Sequence, residues 1–210
     1  MLDAPVCYDT AEGGVWCFVT AVNEQENALE NLSALVGLFT STGDSLASDT
    51  AIAPVNHILP SQSVPLVVFF PPPIDDDYNS QSALLTSIEV NEAGGRYLQA
   101  SAEVSENKIA PDGMSGHITG TVTVPEGSPP ARIIWVVAVA YDQEGEVVGV
   151  RKWDSSTIDG CQLASAVQEA PEATSAPVSA LHPNCLNFDL TVYSLGPEIH
   201  RVELLIEARP

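Results

Sequence analysis

The chain has 210 residues, 45% of them hydrophobic, with 28 Asp and Glu against 7 Lys and Arg, and it carries a formal charge of −21. That length allows one or two domains with a real core, and the apolar fraction argues against wholesale disorder. The charge argues against nucleic acid, whose phosphates call for clustered Lys and Arg, and against an electrostatically held anionic membrane surface.

In chain order, Met1-Leu-Asp-Ala-Pro5 carries neither the basic stretch nor the apolar run of a signal peptide. The first β-rich run is Val15–Val22. Residues 24–33 hold good helix formers and are the single, short helical candidate. Further β-rich runs follow at Leu32–Phe39, Val64–Phe70, Tyr97–Val104, His117–Val124, Ile133–Tyr141, Val147–Trp153, Phe188–Tyr193 and Ile199–Ile206. Each is bounded by Gly, Pro, Asn or Asp. Short strands punctuated by turn chemistry predict an all-β sandwich architecture rather than a parallel α/β sheet. The longest apolar run, Ile133–Tyr141, falls far short of the ~20 residues that span a bilayer.

An internal repeat organises these runs. A shift of 102 residues places Val15–Asp44 on His117–Glu146 without a gap. Phe39 then meets Tyr141, Gly43 meets Gly145, and Asp44 meets Glu146. Both copies read as strand, polar loop, apolar strand ending in an aromatic, then a Gly-acidic turn in which Gly is free to take positive φ. A period this long indicates two similar sandwiches in tandem, residues 1–95 and 96–210. The second copy has an extra Ala/Pro/Ser-rich loop over 161–185, read as irregular.

The repeat also divides the charge. Residues 1–95 contain 13 acidic residues and no Lys or Arg; residues 96–210 contain 15 acidic and all 7 basic residues, so −13 and −8 recover −21. The pattern fits either a solvated acidic surface or adaptation to high salt or divalent cations.

Four cysteines form two local pairs, Cys7 with Cys17 and Cys161 with Cys185, without the CxxC or His spacing of a zinc site. Two short-range disulfides suit an oxidising compartment, with four free buried thiols as the other reading. The expectation is an exported protein, at the cell surface or extracellular, whose targeting segment has been removed, or a fragment of a longer surface protein.

The patterns His117-Ile-Thr-Gly-Thr-Val122, Val137-Ala-Val-Ala-Tyr-Asp-Gln-Glu-Gly-Glu-Val-Val-Gly149 and Phe188-Asp-Leu-Thr-Val192 resemble the FxLYD-type immunoglobulin-like domains of prokaryotic envelope proteins. Tyr141-Asp142 and Gly145 match the centre of that signature, while Ala138 and Ala140 replace larger residues. Phe39-Thr40 is the weaker match in the first copy. The resemblance implies two tandem immunoglobulin-like antiparallel β-sandwich domains, extracytoplasmic and non-enzymatic. It carries no functional residues.

Chemistry-bearing motifs are sparse. His57, His117, His182 and His200 belong to no HExxH, and no GxSxG, Walker-type or GxGxxG loop occurs. No catalytic residue and no cofactor is therefore expected. Asp75, Asp77 and Asn79 alternate as oxygen donors in a pattern that can converge on Ca²⁺. They lack the Gly and Glu of an EF-hand, so a solvated acidic turn competes with an irregular calcium site. Trp16 and Trp135 lie in apolar strands and are expected in the core; Trp153 is less certain. Asn31-Leu-Ser33 is a glycosylation sequon.

These features point to a non-catalytic structural protein: a spacer, an adhesion module or a subunit of an extracellular filament or sheath. The alternative is a ligand-binding module for calcium or glycans. Partners would be other envelope proteins or further copies of the chain. Contacts between copies would set Arg96, Lys108, Arg132, Arg151, Lys152 or Arg201 against an acidic first copy.

Overall fold

A computed structural model of the protein describes residues 1–74, 77–90, 95–155 and 185–210. Thirteen strands and no helix are found there. The first half comprises β1 (Val6–Asp9), β2 (Val15–Val22), β3 (Ala28–Phe39), β4 (Ser45–Ile52), β5 (His57–Ile58), β6 (Ser63–Phe70) and β7 (Asn79–Val90). The second comprises β8 (Ser101–Ile109), β9 (Ser115–Thr123), β10 (Ile133–Tyr141), β11 (Val147–Ser155), β12 (Cys185–Tyr193) and β13 (Arg201–Arg209).

All pairings are antiparallel, and the two halves repeat one topology. β1-β2-β6 corresponds to β8-β9-β12, and β4-β3-β7 corresponds to β11-β10-β13. In the first half one pairing, Ile52 with Val67, joins the two groups into a single sheet. The expected tight turns also repeat. Thr40 N–H donates to the Asp44 carbonyl and Asp142 N–H to the Glu146 carbonyl, with Gly43 and Gly145 at φ 90° and 89°. The side chains match too: Thr40 Oγ1 and Asp142 Oδ1 accept from the N–H of Asp44 and Glu146 at 3.0 and 2.8 Å.

The helical candidate is overturned. Residues 28–39 form one long strand, and its start carries an irregularity at Asn31, which takes φ 54°. From Ala28 on, tertiary pairing with β4, β5 and β7 overrides the local helix preference of residues 24–33. β4 and β7, which the apolar pattern does not announce, have largely exposed side chains.

The cores explain the longest apolar run. Ile134, Val136, Ala138 and Ala140 face β8-β9-β12 in the second core, whereas Val137, Val139 and Tyr141 belong to the core of the first half. β10 is thus covered on both faces, which is the situation that produces a continuous hydrophobic strand. Val147 and Leu205 join the same contact, and the first half answers with Phe18, buried on the outer side of β2, and with Tyr8. The two copies therefore share packed surface instead of hanging on a bare linker.

Candidate functional site

Between the two copies runs a polar seam. At one end the Tyr8 ring lies against Phe18, their centroids 6.1 Å apart, and against Gly196, where a Cβ would collide with the ring. Burial, reinforced by the carboxylates of Asp142 and Glu146, pushes the Tyr8 hydroxyl up to about 12. Tyr8 therefore stays neutral at any physiological pH.

At the other end Glu207, 4% exposed, reaches from β13 into the first half. Its Oε2 accepts from the backbone N–H groups of Asn56 and His57 at 2.5 and 2.9 Å, while Oε1 accepts from Arg209 Nε at 2.6 Å. These bonds satisfy a carboxylate that burial alone would make costly. The His57 ring stacks on Tyr97 at 4.2 Å, and Asn56 Nδ2 donates to the Tyr97 hydroxyl at 2.8 Å. Burial lowers the His57 pKa, against the raising influence of Glu207 and Glu30. Burial likewise raises Tyr97. A second buried carboxylate, Glu30, pairs with Arg96 Nη2 at 3.0 Å; the alignment is poor, since Glu30 Oε1 accepts no hydrogen bond.

Two clefts flank this wall. One of about 590 Å³ lies between His57, Leu59, Tyr97 and the β13 residues Ile206–Ala208. The other, about 610 Å³, is lined by Asn31, Thr50, Asn56, Trp135, Lys152 and Arg209. In it Lys152 Nζ sits 3.1 Å above the Trp135 ring and the Arg209 guanidinium 4.4 Å from it. The Trp135 Nε1–H is buried without an acceptor among the described residues. Burial lowers the Lys152 pKa. This arrangement can orient polar or anionic groups; its cations already cover the indole.

The sequence-derived candidates scatter. Asp75 lies outside the described residues, Asp77 is exposed, and Asn79 is the first residue of β7, paired with Phe39. Among the described residues no group of His, Cys, Asp and Glu could hold a metal ion. Cys7 and Cys17 are bonded across adjacent strands, and no described cysteine is free. Cys185 is buried at the head of β12; Cys161 and His182 lie outside the described residues. Trp16 is half-buried against Phe69, and Trp153 packs at the margin of the second core.

Of the six cations expected to face another copy, four act within the chain. Arg96 pairs with Glu30 and Lys108 with Glu106; Lys152 covers Trp135; Arg201 lies 3.8 Å over Tyr141 and pairs with Glu203. Glu207 and Arg209, which organise the seam, are missed by motif reading. The available signal was positional. Glu207 occupies the same face of β13 as Leu205, a buried position two residues away.

No protein-family model matches this sequence, and no curated protein matches it. Among the described residues no helix is long and apolar enough to cross a membrane.

Proposed function

We propose that the chain is a non-catalytic, extracellular or cell-surface structural protein built from two immunoglobulin-like sandwiches, acting as a spacer, an adhesion module or a subunit of an extracellular assembly. The observation that carries this reading is the repeated six-strand topology whose copies bury a common sheet. Such packing holds two modules in one orientation, as a spacer or assembly subunit requires. The Cys7–Cys17 bridge suits an oxidising compartment. The seam's polar groups are used in structural bonds: Glu207 holds two backbone amides and Arg209, and His57 stacks on Tyr97. Antibody labelling of intact producing cells, with the extracellular fraction probed in parallel, tests the reading. Protein confined to the cytoplasm with reduced Cys7 and Cys17 would sink it.

A second reading, a glycan-binding module, is favoured by the cleft that gathers Trp135, Lys152, Arg209, Asn31 and Asn56. A glycan array with the wild type and Lys152→Ala separates the two. Specific binding lost in the variant would favour the binding module, and silence would remove it.

A further inference from the structure

We infer that the protein pairs with a second copy of itself through the open edge of β7, forming a continuous antiparallel sheet β4-β3-β7-β7′-β3′-β4′. The inference extends the assembly reading by naming the surface.

Among the described residues β7 has a ladder partner on one side only, β3. Side chains at and just before its start bond the N-terminal segment. Tyr78 donates to Asp9, Ser80 Oγ to the Pro5 carbonyl and Ser82 Oγ to the Asp3 carbonyl. From Ala83 onward no such hydrogen bond is found among the described residues. Beside that stretch lies a cleft of about 530 Å³ bordered by Leu2, Leu29, Leu32 and Leu84. Three apolar side chains of one strand protrude here: Leu84 is 56% exposed, Leu85 53% and Ile88 48%. An edge strand with unpaired backbone and protruding apolar side chains is a template for another strand.

Charge selects the occupant. In a chain of −21, β7 runs ten residues from Asn79 to Ile88 without a charge, Pro or Gly, whereas no other described edge strand has more than four uncharged residues in a row. The nearest carboxylate, Glu89, is taken by Asn27 Nδ2 at 2.6 Å. Glu24, which borders the same cleft, pairs with the Met1 ammonium at 3.4 Å, so a basic partner would meet two carboxylates that are both already engaged. A second β7, equally uncharged, forms the ladder without opposing like charges, and antiparallel pairing of identical strands is self-complementary and closes as a dimer. None of the six cations expected to mediate contact between copies is needed.

Sedimentation velocity of the full chain from about 1 to 500 µM tests this at low and high salt. The expected result is a monomer–dimer equilibrium that tightens as salt rises, because screening relieves repulsion between the acidic bodies while the contact contains no ion pair. Leu85→Lys and Ile88→Lys should each weaken the dimer about tenfold or more, since Lys on an edge blocks strand addition. Val104→Lys, at an exposed site on β8, should leave it unchanged, and circular dichroism should report all three variants folded. Hydrogen exchange at 83–90 should slow with concentration. A monomer under every condition would overturn the inference while leaving a spacer or adhesion role intact; cytoplasmic confinement would remove that role without touching the dimer. A dimer indifferent to both β7 variants, or one weakened by salt, would also overturn it.

Discussion

β7 and β13 occupy the same place in the two copies, yet the chain treats their free edges differently. Beside β13 the Leu98 N–H donates to the Ala208 carbonyl at 2.9 Å and Asn107 Nδ2 to the Val202 carbonyl at 3.1 Å. Its own residues include Arg201, Glu203, Glu207 and Arg209, and the first copy's His57 and Leu59 border the same space. β7 donates the Ser80 and Ser82 hydroxyls to the N-terminal segment near its start, and it is uncharged over its exposed middle. One topology therefore has one edge guarded by charge and by its neighbour, and one left bare. The difference teaches that the second copy is the integrated one, since its strand β10 is covered on both faces, while the first presents the surface.

The sharpest way to break that picture is to attack the shared surface from the first copy. Phe18, 2% exposed, belongs to the first copy but meets the sheet of the second. Phe18→Ala should cost about 3–5 kcal/mol, the range for a buried aromatic truncated in a core. Urea unfolding should give one cooperative transition in both proteins, shifted to lower urea in the variant. Two resolved transitions in the wild type would mean that the copies unfold independently.

Glu207 tests the polar half of the same contact. Glu207→Ala removes the acceptor of two backbone amides and strands Arg209, so about 3 kcal/mol should be lost. Although the substitution lies in the second copy, hydrogen exchange should accelerate at Asn56 and His57 in the first. Glu207→Gln, which keeps an acceptor, should recover part of that protection.

The disulfide sharpens the comparison within the first copy. Cys7 and Cys17 are 10 residues apart and pair directly across β1 and β2. Closing so short a loop is worth about 2–3 kcal/mol in the chain-entropy picture. The double variant Cys7→Ser, Cys17→Ser should lose about that much in thermal or urea unfolding. The loss should appear as faster exchange in β1 and leave the β8–β9 pair of the second copy untouched, because that pair has no cysteine within its strands.

What the sequence made legible follows the same division. The repeat, the Gly43 and Gly145 turns and the Cys7–Cys17 pair could be read because each is a local or self-referential signal. β2 and β10 announced themselves as near-continuous apolar runs because both of their faces are covered. β7 was illegible for the opposite reason. With both faces and one edge open, nothing selects alternating apolar residues, and Asn79-Ser-Gln-Ser82 reads as a turn. Residues 24–30 misled because helix propensity is local whereas the pairing of Glu30 with His57 and Ile88 is not. The seam stayed hidden since its members, from Glu30 to Arg209, are distant in sequence and form no motif.

The smallest effect expected is the acid sensitivity of that seam. Burial holds the His57 pKa below its ordinary value of 6.5; Glu207 and Glu30 pull it up, and Arg96 pushes it further down. The unfolded chain therefore takes up a proton near the ordinary value while the folded chain resists until lower pH. Above that value both states are neutral at this position and stability does not depend on it. As pH falls through the ordinary histidine range toward the lower folded pKa, the unfolded state gains and stability declines. His57→Phe preserves the stack on Tyr97 and the backbone N–H that Glu207 accepts, but removes the proton site. Unfolding free energies of the wild type and His57→Phe, measured from about pH 7.5 down to pH 5, should diverge, with the variant losing less. A constant difference across that range would remove His57 as the source of acid sensitivity, and the seam would then answer to pH only through its carboxylates.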